Sequence, residues 1–181
     1  YETLTRDAVR SGAYVGSNSW GDDTQGRYDL SAAEFDALVR DADARTPGEQ
    51  PYILEFSAGN SGPGEQTIGS PAVAKNVIAT GACQNDRFDL ALYAEGSETM
   101  ADFSSRGPAE DGRIKPDITA PGTWIASLKS QFASDANAWL GIDENYLFQG
   151  GTSQAGPHVS GACAVFIQWY RETQGGLTPS P

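Results

Sequence analysis

The chain has 181 residues, 39% of them apolar, and 24 acidic against 12 basic side chains give a net charge of −12 and a pI near 4.3. That is enough chain for one globular domain with a real core, and a field of that sign repels phosphate backbones and speaks against nucleic acid as a partner. No apolar run is long enough to span a bilayer, which speaks against a membrane protein, and no signal-peptide pattern follows Tyr1.

The first residues predict a helix with Leu4, Ala8 and Val9 on its apolar side. Tyr14–Trp20 reads as a strand. Ser31–Ala44 reads as a helix whose stripe is Leu30, Phe35, Leu38 and Val39, broken by Thr46-Pro-Gly-Glu49. Tyr52–Phe56 and Asn76–Thr80 are strands of continuous apolar character, as expected where both faces are covered. Strand, helix, strand in this pattern predicts an α/β fold with a mainly parallel sheet flanked by helices. Phe88–Asp102 alternates weakly and suggests peripheral strands or a hairpin, while Ser127–Gln149 is a long connection to which no element is assigned.

The last strong element runs from Ser153 to about Thr173. Val159, Cys163, Phe166, Ile167 and Tyr170 recur at helical spacing beside the small residues Ala155, Gly156, Ser160, Gly161 and Ala162, which predicts a buried central helix ended by Gly175-Gly176. The chain starts in a helix and stops at Leu177-Thr-Pro-Ser-Pro181, so both ends read as cuts in a single, incomplete domain. Cys83 and Cys163 lack metal-ligand spacing and sit in small, apolar surroundings, which suits buried thiols better than a disulfide.

The chemistry lies in Gly150-Gly-Thr-Ser-Gln-Ala-Gly-Pro-His-Val-Ser-Gly161. A serine after glycines at the mouth of a buried helix has its hydroxyl near the positive end of the helix dipole, and its own N–H is unsatisfied in the first turn. That pairing of hydroxyl and N–H suits an attacking oxygen beside an oxyanion. An ordinary helix cap is the competing reading of Gly-Thr-Ser alone.

The longer string resembles the nucleophile motif of the subtilisin family, the subtilases. Phe56-Ser-Ala-Gly-Asn-Ser-Gly62 is similar to the family's oxyanion segment, and Ser17-Asn-Ser-Trp-Gly21 to its substrate-pairing strand. Phe103-Ser-Ser-Arg-Gly-Pro108 and Gly112-Arg-Ile-Lys-Pro-Asp-Ile-Thr-Ala-Pro-Gly122 resemble further family segments, especially those of large bacterial secreted members. The resemblance implies a subtilisin-like serine endopeptidase, secreted or extracytoplasmic, acting on protein or peptide substrates. Ser153 would be the nucleophile at the start of the central helix, and the Asn60 amide with the Ser153 N–H would bind the oxyanion. Ser19, Trp20 and Gly21 would pair with an extended substrate, Trp20 having a core role as the alternative. Ser57, Ala58, Gly59 and Gly69 would wall an open, apolar pocket. The chemistry would need no cofactor. Calcium is expected only as a structural ion, some members holding a weak cation where the carbonyls of Ala72, Ala74 and Val77 lie.

The family's Asp and His precede the region matched here, and neither motif is present, so the missing N-terminal part of the domain is an expected partner. The only histidine, His158, is five residues past Ser153 and turned about 140° away on the helix, which predicts a structural core or subsurface residue. Gln154 and Gly156 depart from the family's commoner Met and Thr, and the glycine is expected to loosen the first turns of the helix. Two other readings are a peptide-binding pseudoenzyme and an acid-acting sedolisin; Asn60 argues against the latter, whose oxyanion donor is an aspartate.

Overall fold

The computed structural model describes residues 1–87, 96–132 and 138–181. Four strands form one sheet: β1 (Val15–Asn18), β2 (Ile53–Ser57), β3 (Ile78–Cys83) and β4 (Ile118–Pro121), in the order β1-β2-β3-β4. Every pair is parallel, with Val15 opposite Ile53, Glu55 opposite Ile78 and Thr80 opposite Ile118. The three strands expected from the sequence are therefore neighbours in one parallel sheet.

Helix α1 (Glu2–Arg10) leads into β1, and α2 (Leu30–Arg40) forms the crossover to β2. Asp29 caps α2, its Oδ1 accepting the Ala32 N–H at 3.0 Å. The helix stops four residues short of the expected Ala44. At Asp41 the backbone becomes extended and the side chain accepts the N–H groups of Asp43 and Gln50. A carboxylate that binds nearby backbone donors in this way competes with the helix.

The alternation of β2 explains how the two faces of the sheet are covered. Leu54 and Phe56 point to one side and join Phe35, Val39, Ile68 and Val73 in the larger core. Glu55 and Ser57 point to the other side, toward helix α3 (Thr152–Thr173), which lies against all four parallel strands. There Ala82, Ala120, Ala155 and Val159 make a smaller core whose short side chains let helix and sheet approach closely.

Helix α3 is less buried than the sequence suggests. Its first half buries Thr152, Ala155, Gly156 and Val159, but its second half exposes Val165, Phe166 and Trp169. Phe166, expected in the core stripe, is half exposed. Helical spacing marks a face, and the sheet under that face ends before the helix does.

The stretch 127–149, to which no element was assigned, contains strands. β5 (Ile125–Leu128), β6 (Leu140–Gly141) and β7 (Tyr146–Gln149) form an antiparallel sheet in the order β5-β7-β6. Trp124, Trp139 and Phe148 pack edge to face beside it. Of the expected strands or hairpin at 88–102, residues 88–95 lie outside the described residues; beyond them Met100 makes a single antiparallel bridge to Cys83. Both cysteines are free thiols, Cys83 buried and Cys163 partly buried.

Candidate active site

In a parallel sheet every strand points the same way, so the loops at its carboxyl end converge. Here β1 ends at Asn18 and continues into Ser19-Trp20-Gly21, while β2 ends at Ser57 and continues into Ala58-Gly59-Asn60. Helix α3 starts beside both. A cavity of about 240 Å³ lies between these arms, and Ser19, Trp20, Gly21, Ser57, Ala58, Gly59, Asn60, Gly69 and Ser153 all line it.

The entry to α3 is built by close contacts that exclude side chains. Gly151 is the N-cap at φ 149°, a conformation L residues avoid, and its N–H donates to Gly122 O at 2.8 Å. A Cβ on Gly150 would lie 2.1 Å from the Trp139 ring. Ser153 sits in the first turn, where the helix leaves its N–H unpaired.

Asn60 is held by its neighbour Thr152. The Asn60 Oδ1 accepts both the Thr152 N–H at 2.9 Å and the Thr152 hydroxyl at 3.0 Å. A backbone N–H can only donate, so the carbonyl end of the amide must face Thr152, and the Nδ2 end is left for the cavity. Among the described residues Nδ2 has no acceptor.

Pro157 adds a second tie. Lacking an N–H, it leaves the Ser153 carbonyl without its partner one turn on, and the Ser19 hydroxyl donates to that oxygen at 3.1 Å instead. The Ser19–Gly21 arm is thereby fastened to Ser153. Its backbone groups make no backbone hydrogen bond among the described residues. Trp20 is 40% exposed at the cavity and packs against Tyr1, Phe35 and Phe56.

The pocket walls depend on glycine. Asp22 and Ser70 pair as an antiparallel bridge, N to O at 2.8 and 3.0 Å. A Cβ on Gly21 would meet Ser70 O at 2.7 Å, and one on Gly69 would meet Asp22 O at 2.6 Å. The lining is not apolar as expected. Asp22 and Asp23 stand on it with the hydroxyls of Ser61, Thr67, Ser70 and Ser105, and the Ser61 hydroxyl donates to Asp23 at 3.2 Å. Asp22 and Asp23 follow directly on the Ser17–Gly21 segment in the sequence.

His158 is exposed rather than part of the core or subsurface. Its Nδ1 lies 2.9 Å from the Gln154 carbonyl on its own helix, which can only accept, so Nδ1 carries the proton. The helix face that carries position 158 turns away from the sheet, and nothing there buries an imidazole.

Gly156 does not loosen the helix, which runs on regularly past it. It admits a buried carboxyl that the sequence reading missed. Glu55 is fully buried, and a Cβ on Gly156 would lie 2.5 and 2.8 Å from its two oxygens. The signal was an acidic residue in the middle of an apolar strand, opposite a glycine where Thr is commoner.

Among the described residues no group of three or more His, Cys, Asp or Glu side chains is arranged to hold a metal ion. At one expected calcium carbonyl, Val77 O, the neighbouring cation is the buried Lys115 ammonium at 3.4 Å.

The subtilase family model matches residues 1–180. The chain belongs to the subtilase family. It is 40% identical over 145 residues to serine protease AprX of Bacillus subtilis, covering 78% of this chain and 31% of that protein. It is 36% identical over 131 residues to pyrolysin of Pyrococcus furiosus, covering 64% of this chain and 9% of that protein. The patellamide maturation protease PatA superposes with a TM-score of 0.67 at 24% identity, over 99% of this chain and 53% of that structure. Sphericase gives 0.60 at 23%, over 98% and 50%. These two structures show the subtilase fold. The chain spans about half the length of these two solved structures and a third or less of AprX and pyrolysin.

Proposed function

We propose that this subtilase chain carries the nucleophile and oxyanion half of a serine endopeptidase site. The observation that carries the reading is the Asn60–Thr152 clamp, which turns the Asn60 amide toward the cavity that Ser153 also lines.

Ser153 Oγ attacks the scissile carbonyl. The oxyanion that forms accepts hydrogen bonds from Asn60 Nδ2 and the Ser153 N–H, donors already in place before charge develops. A base from outside these residues takes the Oγ proton and gives it to the departing nitrogen as the tetrahedral intermediate collapses to an acyl-enzyme on Ser153 and releases the amine; water, losing a proton to the same base, then hydrolyses the ester. An extended peptide pairs with the open backbone of Ser19–Gly21, a strand-addition mode. Its side chain before the cleaved bond enters the cavity walled by Ser57–Gly59 and Gly69. All reacting groups are protein groups, so the chemistry needs no cofactor.

The base comes from outside these 181 residues. His158 holds its Nδ1 proton on Gln154 O and belongs to the wrong face of the helix. An aspartate and a histidine in a preceding part of the same domain would complete the site, and the first partner of the chain is that part. Action outside the cytoplasm is supported by the similar minor extracellular protease Vpr of Bacillus subtilis, 43% identical over 82 residues.

The test is hydrolysis of an unstructured protein by the full-length protein and by the 181-residue chain. The full-length protein is expected to turn substrate over and to lose this with Ser153→Ala. The chain alone is expected to be inactive, with His158→Ala changing nothing. Turnover by the chain that disappears with His158→Ala would make His158 the base and overturn the reading; a full-length protein that binds peptides without cleaving them would make it a pseudoenzyme.

A further inference from the structure

We propose that Glu55 is a positioning residue for Ser153: its carboxyl clamps the nucleophile helix to β1, in a space that only glycine at position 156 leaves open. The proposal rests on reading Ser153 as the nucleophile.

Residues 55 and 57 share one face of β2, and both reach α3. Ser57 Oγ donates to the Thr152 carbonyl at 3.2 Å, at the very start of the helix. Glu55 meets the same helix farther along: Gly156 rests on its carboxyl, and the Ser160 hydroxyl donates to Oε2 at 3.4 Å. From β1 the Ser17 hydroxyl donates to the same oxygen at 3.3 Å. One carboxyl thus joins two strands and two turns of helix. Gly156 is three residues past Ser153, so the contact fixes the depth and rotation of the turn that presents the nucleophile. The same strand runs on to Asn60, so Glu55 sets Ser153 against its oxyanion partner.

Among the described residues no Lys or Arg side chain reaches the Glu55 carboxyl. The neighbours that act on its charge are Thr80 of β3, Ser17 and the Asn18 N–H of β1, and Ser160 of α3; the one titratable group facing it is the Cys163 thiol, also on α3. Burial pushes the Glu55 pKa up, and these neighbours only partly offset it. Two buried atoms also lack partners, Glu55 Oε1 and Thr80 Oγ1. A raised pKa favours the fold below the unfolded-state value, and that contribution is lost as pH rises through the folded-state value.

The test uses the full-length protein with Glu55→Gln, Glu55→Ala, Gly156→Ala and the Glu55→Ala/Gly156→Ala pair. Glu55→Gln keeps the shape and carries no charge, so kcat is expected to stay within about twofold of the parent, and its melting temperature should gain on the parent's as pH rises. Glu55→Ala is expected to lower kcat at least about tenfold with KM little changed, because the substrate pocket is untouched while Ser153 shifts. Gly156→Ala should be as harmful in the presence of Glu55 and nearly neutral in its absence. The proposal is overturned by a Glu55→Ala enzyme with normal kcat, by a defect confined to KM, or by equal harm from Gly156→Ala with and without Glu55. The melting-temperature comparison needs no turnover, so it separates failure of the clamp from failure of the peptidase reading, which Ser153→Ala reports.

Discussion

Asn60 and Ser153 differ in how much each should matter, and the difference is measurable. Removing the nucleophile leaves only binding and oxyanion contributions, so Ser153→Ala should abolish detectable turnover in the full-length protein. Asn60→Ala removes one of two oxyanion donors and should lower kcat by about 10²–10³-fold with little change in KM. The same substitution frees the Thr152 N–H, so a loss of stability is expected beside the kinetic loss. Both residues were legible in the sequence because each lies in a string whose small residues have a steric reason to be there. Glu55 was not legible as a functional residue. Its meaning depends on Gly156, 101 positions later, and no local pattern joins a strand residue to the gap it fills.

At the scale of elements, the entry to α3 is the most constrained feature of the chain. Gly150 touches the face of Trp139, so Gly150→Ala should force the ring or the helix entry to move and destabilise the protein by about 1–3 kcal/mol, measurable as a shift in urea midpoint. Trp139→Ala opens that space, and the glycine substitution should cost less in its background. Three of the four parallel strands and the helix from Ser153 could be read from continuous apolar runs and from helical spacing; β4, four residues long and half exposed, could not. The antiparallel β5-β7-β6 sheet could not. Its strands are two to four residues long, and β5 is largely exposed, so neither alternation nor an apolar run marks it. The end of α2 was misplaced for a similar reason: Asp41 stops the helix through its side chain, a contact that apolar spacing does not register.

Over the whole molecule, folding must accommodate a net charge of −12, and some carboxylates are firmly held. Asp43 is buried and takes a two-pronged hydrogen bond from Arg10 at 2.7 and 3.1 Å, joining α1 to the loop after α2. That guanidinium, with help from Thr46 and the Arg45 N–H, holds the Asp43 pKa below the usual carboxylate range. A depressed carboxylate contributes stability above the unfolded-state pKa and loses it as pH falls through the folded-state value. The melting temperature should therefore drop in acid, and Arg10→Ala should lower it at neutral pH while flattening the acid limb. The account as a whole stands on Ser153 being a reactive nucleophile, and the most direct measurement is to treat the full-length protein with an organophosphonate serine-protease probe and locate the adduct by mass spectrometry. One adduct, on Ser153, is the predicted result; a protein that hydrolyses its substrate yet carries the adduct elsewhere, or carries none, would contradict it.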